Sequence, residues 1–483
     1  MLQETANPES ASASGVLEPR HGLGDRVGFA LFLAALALCP VPDGSTELIW
    51  IVIWGVLACA SVLLLSYRAV SRPAALVIFG CGLVAAAFVL VALLQSQAAG
   101  PFSLPIWREA GRLLGMDLPA LATAVRDAPL LAVGGPLLAA LLFTAGVVVS
   151  DDARRVELIC RVLIAMACLT GLIGFIALLF DIDALRPTQA PGSLTTFFLN
   201  KNTTSTYLGS AFLLCLVLLL QRLRVALRMS GGQLRSVEAL ASGRADRRVL
   251  IGLAFAALLL AFLIPMAKSR SSFALVLVLS SLAALVLFWG RAHAWRLFAP
   301  VALILFAAAY AVAGQGIRLR FARLSLEDSE RLEVYRSVLD GIAQHPVLGF
   351  GLGSFPSVFP GLRNENLPMR GIWNMAHSTP LELALTGGIP LTAFVALFFG
   401  ICLVLLIRGI IRRPHDPYIL GALLVGVLGA LHSTVDFTLQ IPGYLMIYAG
   451  VTGIGVGRAL RPASKGSYER VRRQRSSAPE KAR

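Results

Sequence analysis

His377 stands in Asn374-Met-Ala-His377-Ser-Thr-Pro-Leu, directly before an apolar run that begins at Leu381. Ser378 or Thr379 can cap the helix that starts there, and Pro380 suits its first turn. A histidine so placed lies beside the positive end of a helix dipole, which disfavours imidazolium and favours a neutral ring able to take a proton. Two readings stay open: a general base, or an interfacial histidine with no part in chemistry. Arg331 lies earlier in the same polar stretch, on a helix begun by the capping-box-like Ser325-Leu-Glu-Asp328 and stopped by His345-Pro346. At about 100° per residue, Arg331, Tyr335, Val338, Leu339 and Ile342 share one face and Arg336 points away. An arginine on a packed face needs an anion, either a carboxylate of the protein or a ligand phosphate. The turn Ala267-Lys268-Ser269-Arg270-Ser271-Ser272 sets two cations and three hydroxyls side by side. They can snorkel to lipid phosphates or grip a phosphate-bearing ligand. Two further polar groups border apolar runs: Asn200-Lys201-Asn202, and His432 with Asp436 four residues on. Ionisable residues inside a membrane are functional candidates, although this last pair can also satisfy itself.

The elements that position these residues follow from composition. A mean hydropathy of +0.76 with 57% hydrophobic and 14% charged residues lies outside the range of soluble domains. Several apolar runs reach the roughly 18–20 residues that cross a bilayer, so the chain reads as an all-α polytopic membrane protein. About twelve transmembrane helices are expected: Val27–Pro42, Leu48–Ser66, Ala74–Leu94, Pro129–Val149, Leu158–Phe180, Thr204–Leu220, Val249–Met266, Ser271–Gly290, Leu297–Ala313, Leu381–Ile407, Tyr418–Val435 and Pro442–Val456. The division is a disordered tail over 1–24, helices 1–9 over 25–313, a long polar loop over 314–380, helices 10–12 over 381–457, and a basic tail over 458–483. The first tail has no apolar core of the kind a signal peptide carries. With both termini cytoplasmic, two thirds of the 42 lysines and arginines fall on inside segments, and half of the rest lie in the 314–380 loop. That loop therefore faces outward.

The net charge of +15 gathers in Gln221–Arg248 and in the tail with Arg-Val-Arg-Arg-Gln-Arg. Such clusters on the inside face attract anionic membrane lipids. Without interleaved aromatics or a nucleic-acid fold they give no reason to expect nucleic acid. The seven cysteines all sit in apolar runs as small packing residues, with neither a disulfide framework nor a Cys/His metal pattern. Within Gln95–Ala128, Leu104–Val125 is expected along the membrane surface. Gly349-Phe-Gly-Leu-Gly353 resembles a dinucleotide fingerprint only superficially; no strand precedes it, and a tight turn folding the loop back is expected.

In order along the chain these pieces resemble the O-antigen ligase and O-antigen polymerase superfamily of bacterial inner-membrane proteins. The resemblance rests on Asn200-Lys-Asn202 entering a span, the Ser269-Arg270-Ser271 turn, Arg331-Leu-Glu-Val-Tyr335 with Pro346-Val-Leu-Gly349-Phe-Gly351, and His377-Ser-Thr-Pro-Leu381-Glu382 with Gly387-Gly388. Ser378 stands where the family usually has Asn, and Tyr335 where it usually has Trp. The resemblance implies a membrane glycosyltransferase similar to the GT-C class, acting on the periplasmic face without a metal ion or other cofactor. The donor would be a glycan on undecaprenyl diphosphate. The acceptor would be a sugar hydroxyl of lipid A–core in a ligase, or of another lipid-linked glycan in an O-antigen or exopolysaccharide polymerase. Arg270 and Arg331, with Lys268, would hold the diphosphate. His377 would take the acceptor's proton, with Asn200, Asn202, Ser269, Glu382, His432 and Asp436 in support. The rival from another class is a polysaccharide or lipid transporter or flippase. It predicts inverted repeats around a mid-membrane charge, and no repeat is visible.

Overall fold

A computed structural model describes residues 22–97, 100–182, 192–229, 244–288, 330–367 and 373–461. Among the described residues the chain is all-helical, with no strand. The helices are α1 (Leu23–Leu38), α2 (Leu48–Leu64), α3 (Arg72–Ser96), α4 (Pro105–Leu114), α5 (Ala128–Ala132), α6 (Gly134–Val149), α7 (Ala153–Leu179), α8 (Lys201–Met229), α9 (Arg244–Met266) and α10 (Arg270–Phe288). There follow α11 (330–344), α12 (Phe355–Leu362), α13 (Thr379–Gly387), α14 (Ile389–Arg412), α15 (Pro417–His432) and α16 (Pro442–Ala459). Among the described residues, seven stretches are long and apolar enough to cross a membrane: α3, α5 joined to α6, α7, α8 as far as Val225, α9 from Arg247, α10 and α14. The shorter α2 and α15 are also apolar. The expected span Leu297–Ala313, the Ser325–Asp328 cap, residues 230–243 of the Gln221–Arg248 basic segment and most of both tails lie outside the described residues.

Local chemistry starts these helices as the sequence suggests. The Asp152 carboxylate accepts from the Arg154 amide at 2.8 Å and opens α7. Asp416 accepts from Tyr418 N at 3.1 Å, with Pro417 in the first turn of α15. α13 behaves differently. Ser378 occupies the capping position, but its side chain makes no cap bond. Thr379 instead ties the helix outward, its amide donating to Ser433 O at 2.9 Å and its hydroxyl to Asp436 O at 3.3 Å.

α16 is buried over almost its whole length. Its glycines explain both this and its modest hydropathy. A Cβ at Gly453 would overlap the Phe143 carbonyl, and one at Gly146 would overlap that of Gly450. α6 and α16 thus meet backbone to backbone, the small-residue packing that membranes favour. At the bundle end opposite the site, two buried ion pairs tie helix ends together. Arg155 reaches Asp25 at 2.6 Å, and Arg458 reaches Asp416 at 2.6 Å. Each guanidinium also covers an aromatic ring, of Phe29 and Tyr418 respectively.

The described part of the expected loop packs with Leu385 of α13 around a core of Val334, Val338, Phe355, Phe359 and Leu367. Two expectations are corrected here. Leu339 is 53% exposed while Val334 is fully buried, so the packed stripe of α11 runs through Val334, Val338 and Ile342. Docking against α12 and α13 sets the helix phase, whatever the apolarity of Leu339. The single span Leu381–Ile407 is two helices, broken at Gly388 with φ 85°. There Ile389 N donates to Pro346 O at 2.8 Å, and a Cβ would overlap the Val347 carbonyl. The glycine-rich turn does fold the chain back: Gly349, Gly351 and Gly353 all have positive φ. Phe350 N and Gly351 N donate to Leu385 O and Thr386 O at 2.9 and 3.0 Å. Gln95, fully buried at the end of α3, donates to Leu348 O at 2.6 Å and Thr386 O at 2.8 Å, and accepts from Leu352 N at 2.9 Å.

The segment before α5 supports the same turn, Ala124 N donating to Phe350 O at 2.8 Å. α4 leaves Ile106, Leu113 and Leu114 exposed on one side, with Arg108, Glu109 and Arg112 on the other. The segment Leu104–Val125, expected along the membrane surface, is thus a two-faced helix only over Pro105–Leu114; Leu121, Ala122 and Thr123 are buried in the protein.

Candidate active site

The polar groups singled out in the sequence converge at one end of the bundle. They sit where α8 and α10 begin, α15 ends, and the 373–378 loop enters α13. Asp436 is buried and accepts three donors: Asn202 Nδ2 at 2.6 Å, Asn200 Nδ2 at 3.4 Å and Thr438 Oγ1 at 3.0 Å. The two asparagines thus serve one carboxylate; Asn200 also receives the Asn202 amide at 2.7 Å and shapes the start of α8. His432, with no exposed surface, holds three hydroxyls. Its Nδ1 lies 2.9 Å from Thr206 Oγ1 and 3.2 Å from Thr438 Oγ1, and its Nε2 lies 3.1 Å from Ser271 Oγ. His432 and Asp436, left in the sequence as a self-satisfying pair or a functional one, are joined through Thr438 and open onto the Lys268–Ser272 turn.

His377 has a left-handed backbone, φ 55°, unusual for a residue with a side chain. Its ring meets Trp373 and Phe437 edge-on, with centroids 5.5 and 5.1 Å away. Its Nδ1 is buried without a hydrogen-bond partner. Two contacts hold the main chain beside it: the Tyr335 hydroxyl donates to His377 O at 2.9 Å, and Ala376 N donates to Glu382 Oε2 at 2.7 Å. Burial, and secondarily the Arg331 charge, push the imidazole below its ordinary range, with Asp436 acting in the opposite sense. The neutral ring expected from the helix dipole is thus favoured, mainly through desolvation. Burial likewise raises the Glu382 carboxyl to about 7, against the lowering effect of its bonds from Ala376 and Gln440.

Arg331 is half-buried on the α11 side that carries Tyr335 and faces His377, and its charge reaches both, as well as His432. Arg336 is exposed and pairs with Glu333, as its helical phase requires. Lys268, with φ 54°, and Arg270 are exposed on the turn before α10. Among the described residues, the side chains of Lys268, Arg270 and Arg331 make no hydrogen bond or ion pair. Ser269 occupies the position before α10, buried, with a partnerless hydroxyl. The arrangement offers unneutralised cations to an anion, beside a neutral base.

No three His, Cys, Asp or Glu side chains among the described residues could together hold a metal ion. Asp181-Ile-Asp183 has Asp-x-Asp spacing after α7, with Asp183 outside the described residues. Sequence reading missed Gln95, the threonines Thr206 and Thr438, and the Trp373–Phe437 clamp. Gln95 had one available signal, a polar amide at the end of an otherwise apolar helix. The clamp and the threonines had none, because they meet His377 and His432 only through the fold.

Compared with known proteins, residues 255–396 match the family model described as O-antigen ligase. The matched stretch takes in Lys268, Ser269, Arg270, Arg331, Tyr335, the glycine-rich turn, His377 and Glu382; Asn200, Asn202, His432 and Asp436 lie outside it. No curated protein matches the chain.

Proposed function

Taking as premise that residues 255–396 place this multi-pass chain in the O-antigen ligase and polymerase superfamily, we propose that it is a ligase-type glycosyltransferase. It moves a glycan from undecaprenyl diphosphate to a sugar hydroxyl of lipid A–core. In this reading the fold is GT-C-like with twelve spans, both termini are cytoplasmic, and the site opens on the periplasmic face of the inner membrane. The observation that carries the proposal is the meeting of unpaired cations with His377 at one end of the bundle.

The roles follow from charge. As the acceptor oxygen bonds to the anomeric carbon, the bond from that carbon to the diphosphate oxygen breaks and its electron pair stays on the diphosphate. Arg270 and Arg331, with Lys268, stabilise the charge developing there, and the planar guanidinium forks suit paired phosphate oxygens. The acceptor's proton passes to neutral His377. Trp373 and Phe437 keep the ring desolvated, and Tyr335 and Glu382 fix the main chain that carries it. The polyprenyl tail stays in the bilayer, which accounts for a site at a membrane surface.

The test is transfer by purified full-length protein in nanodiscs, with lipid-linked glycan and either lipid A–core or a second lipid-linked glycan, with and without chelator. Transfer to lipid A–core supports the ligase reading, and transfer only to lipid-linked glycan makes the protein a polymerase. Loss of activity with chelator would refute the metal-free step. Uptake or flipping of the lipid-linked glycan without transfer would sink the enzyme reading altogether.

A further inference from the structure

His432 and Ser271 form a hydrogen-bond chain whose polarity can be worked out from its far end. Asp436 accepts from two amide groups, so its carboxylate only accepts, and Thr438 must give its hydroxyl proton to Oδ1 at 3.0 Å. Thr206 likewise gives its proton away from the ring, to Asn202 O at 2.9 Å with Ser272 Oγ at 3.4 Å as a second acceptor. Both hydroxyls facing His432 Nδ1 have therefore spent their protons, and can only accept there. Nδ1 thus carries the hydrogen, and the bare lone pair of neutral His432 sits on Nε2. At 3.1 Å that lone pair takes the Ser271 hydroxyl proton. Ser271 is exposed, and with its own proton turned inward its oxygen offers only lone pairs to whatever enters.

We propose that Ser271 is a specificity residue that accepts a hydrogen bond from a saccharide hydroxyl, with His432, Thr438 and Asp436 as the positioning residues that hold it in that state. The inference rests on the glycosyl-transfer reading above. Read from sequence, the turn assigns phosphate to Arg270 and Lys268, with Ser269 in support, and leaves Ser271 without a part. An oxygen presenting lone pairs repels a diphosphate and welcomes an O–H. Within one turn the work is divided: Lys268 and Arg270 hold negative charge, and Ser271 reads the neutral sugar beside it. Ser269, whose buried hydroxyl has no partner, remains available to donate to the anion.

The experiment uses the full chain in nanodiscs, with lipid-linked donors and acceptors that each lack one sugar hydroxyl, and inorganic pyrophosphate as competitor. Ser271→Ala should lower kcat/KM about fivefold, the usual scale of one hydrogen bond. One deoxy analogue should show a similar loss with the wild type and no further loss with Ser271→Ala, because both remove the same bond. Ser271→Thr should retain most activity. Pyrophosphate should inhibit Ser271→Ala as well as wild type, and Arg270→Ala less well. Weakened pyrophosphate inhibition in Ser271→Ala would make Ser271 a phosphate ligand and overturn the proposal, as would full additivity with every deoxy analogue. A second measurement is independent of turnover: nitrogen-15 histidine NMR at pH 7.5, with the His432 signals identified by their absence in His432→Gln. A neutral ring protonated at Nδ1 is expected, and protonation at Nε2 refutes the chain of donors. Wild-type protein that transfers no glycan would instead strike the functional reading, leaving the tautomer to decide the relay.

Discussion

Gln95→Leu should loosen the glycine-rich turn over 345–353 from beneath. The amide sits at the end of α3 with no exposed surface and makes three bonds to main chain around the glycine-rich turn. Leucine fills similar space and removes all three. Thr386 O keeps a partner, since Gly351 N still donates to it at 3.0 Å. Leu348 O and Leu352 N keep none. Two unmet main-chain groups at about 1–3 kcal/mol each give roughly 2–6 kcal/mol against the closed turn. The turn carries the break between α13 and α14, so the loss appears as local opening before global unfolding. The assay is limited chymotrypsin digestion of the full chain in nanodiscs, scoring cleavage after Phe350. Even the lower figure raises the open population, and with it the cutting rate, about 30-fold. Transfer activity should fall with it, because α13 carries Glu382 and borders His377. Ser96→Ala, one residue along, should change neither. Unchanged cutting in Gln95→Leu would show that the turn is held by its backbone pairing to Leu385 and Thr386 alone.

Burial and the Arg331 charge lower the His377 pKa against the pull of Asp436, and the net shift favours the neutral ring. The acid limb of kcat/KM should therefore lie below the roughly 6.5 of free histidine. Asp436→Asn removes the opposing influence and should move the limb lower still, whereas Arg331→Gln should move it up; shifts in the reverse sense would contradict this electrostatic account. His377→Gln should cost about 10²–10⁴ in transfer rate, with lipid-linked donor binding nearly unchanged, and weakened donor binding would place the residue among the diphosphate ligands. Burial raises Glu382 to about 7, above its unfolded value near 4.5, so the wild type should lose stability as pH climbs between these values. Glu382→Gln should flatten that loss in denaturation midpoints measured from pH 4 to 8, and a slope equal to wild type would refute it. A single cysteine at Ser357 should react with an impermeant maleimide on whole cells and one at Ser242 should not; labelling at Ser242 would reverse the orientation and the mechanism with it.

Much of the fold is legible because membrane helices announce themselves by composition, and eleven of the twelve expected runs are helical where the chain is described. α16 shows why hydropathy is an incomplete guide. Its glycines lower its apolar score while allowing the closest packing in the bundle, so the helix most deeply buried is among the least obviously apolar. The break at Gly388 was hidden for the opposite reason. Apolar residues continue on both sides of it, and only contact with Val347 and Pro346, some forty residues earlier, makes a left-handed glycine necessary there. The phase of α11 was legible for Arg331, Arg336 and Val338 and misread for Leu339, since apolarity does not decide which side of an amphipathic helix finds a partner.

The candidate site divides along the same line. Charged residues between apolar runs or on a packed helix face, Lys268, Arg270, Asp436 and Arg331, are visible in one dimension because their type stands out from their surroundings. What tunes them is not. His377 was expected neutral because of a helix dipole, and desolvation now carries most of that effect, through Trp373 and Phe437 approaching from sequence positions 4 and 60 residues away. Asp436 gains its amide donors from Asn200 and Asn202, more than two hundred residues upstream. Thr438, an ordinary threonine in the sequence, sets the tautomer of His432 only because Asp436 beside it takes its proton. Hydrogen-bond polarity is a property of a whole chain of partners, and one acceptor at its end fixes every donor before it. A site built this way can show its charges in the sequence while keeping its selectivity in the fold.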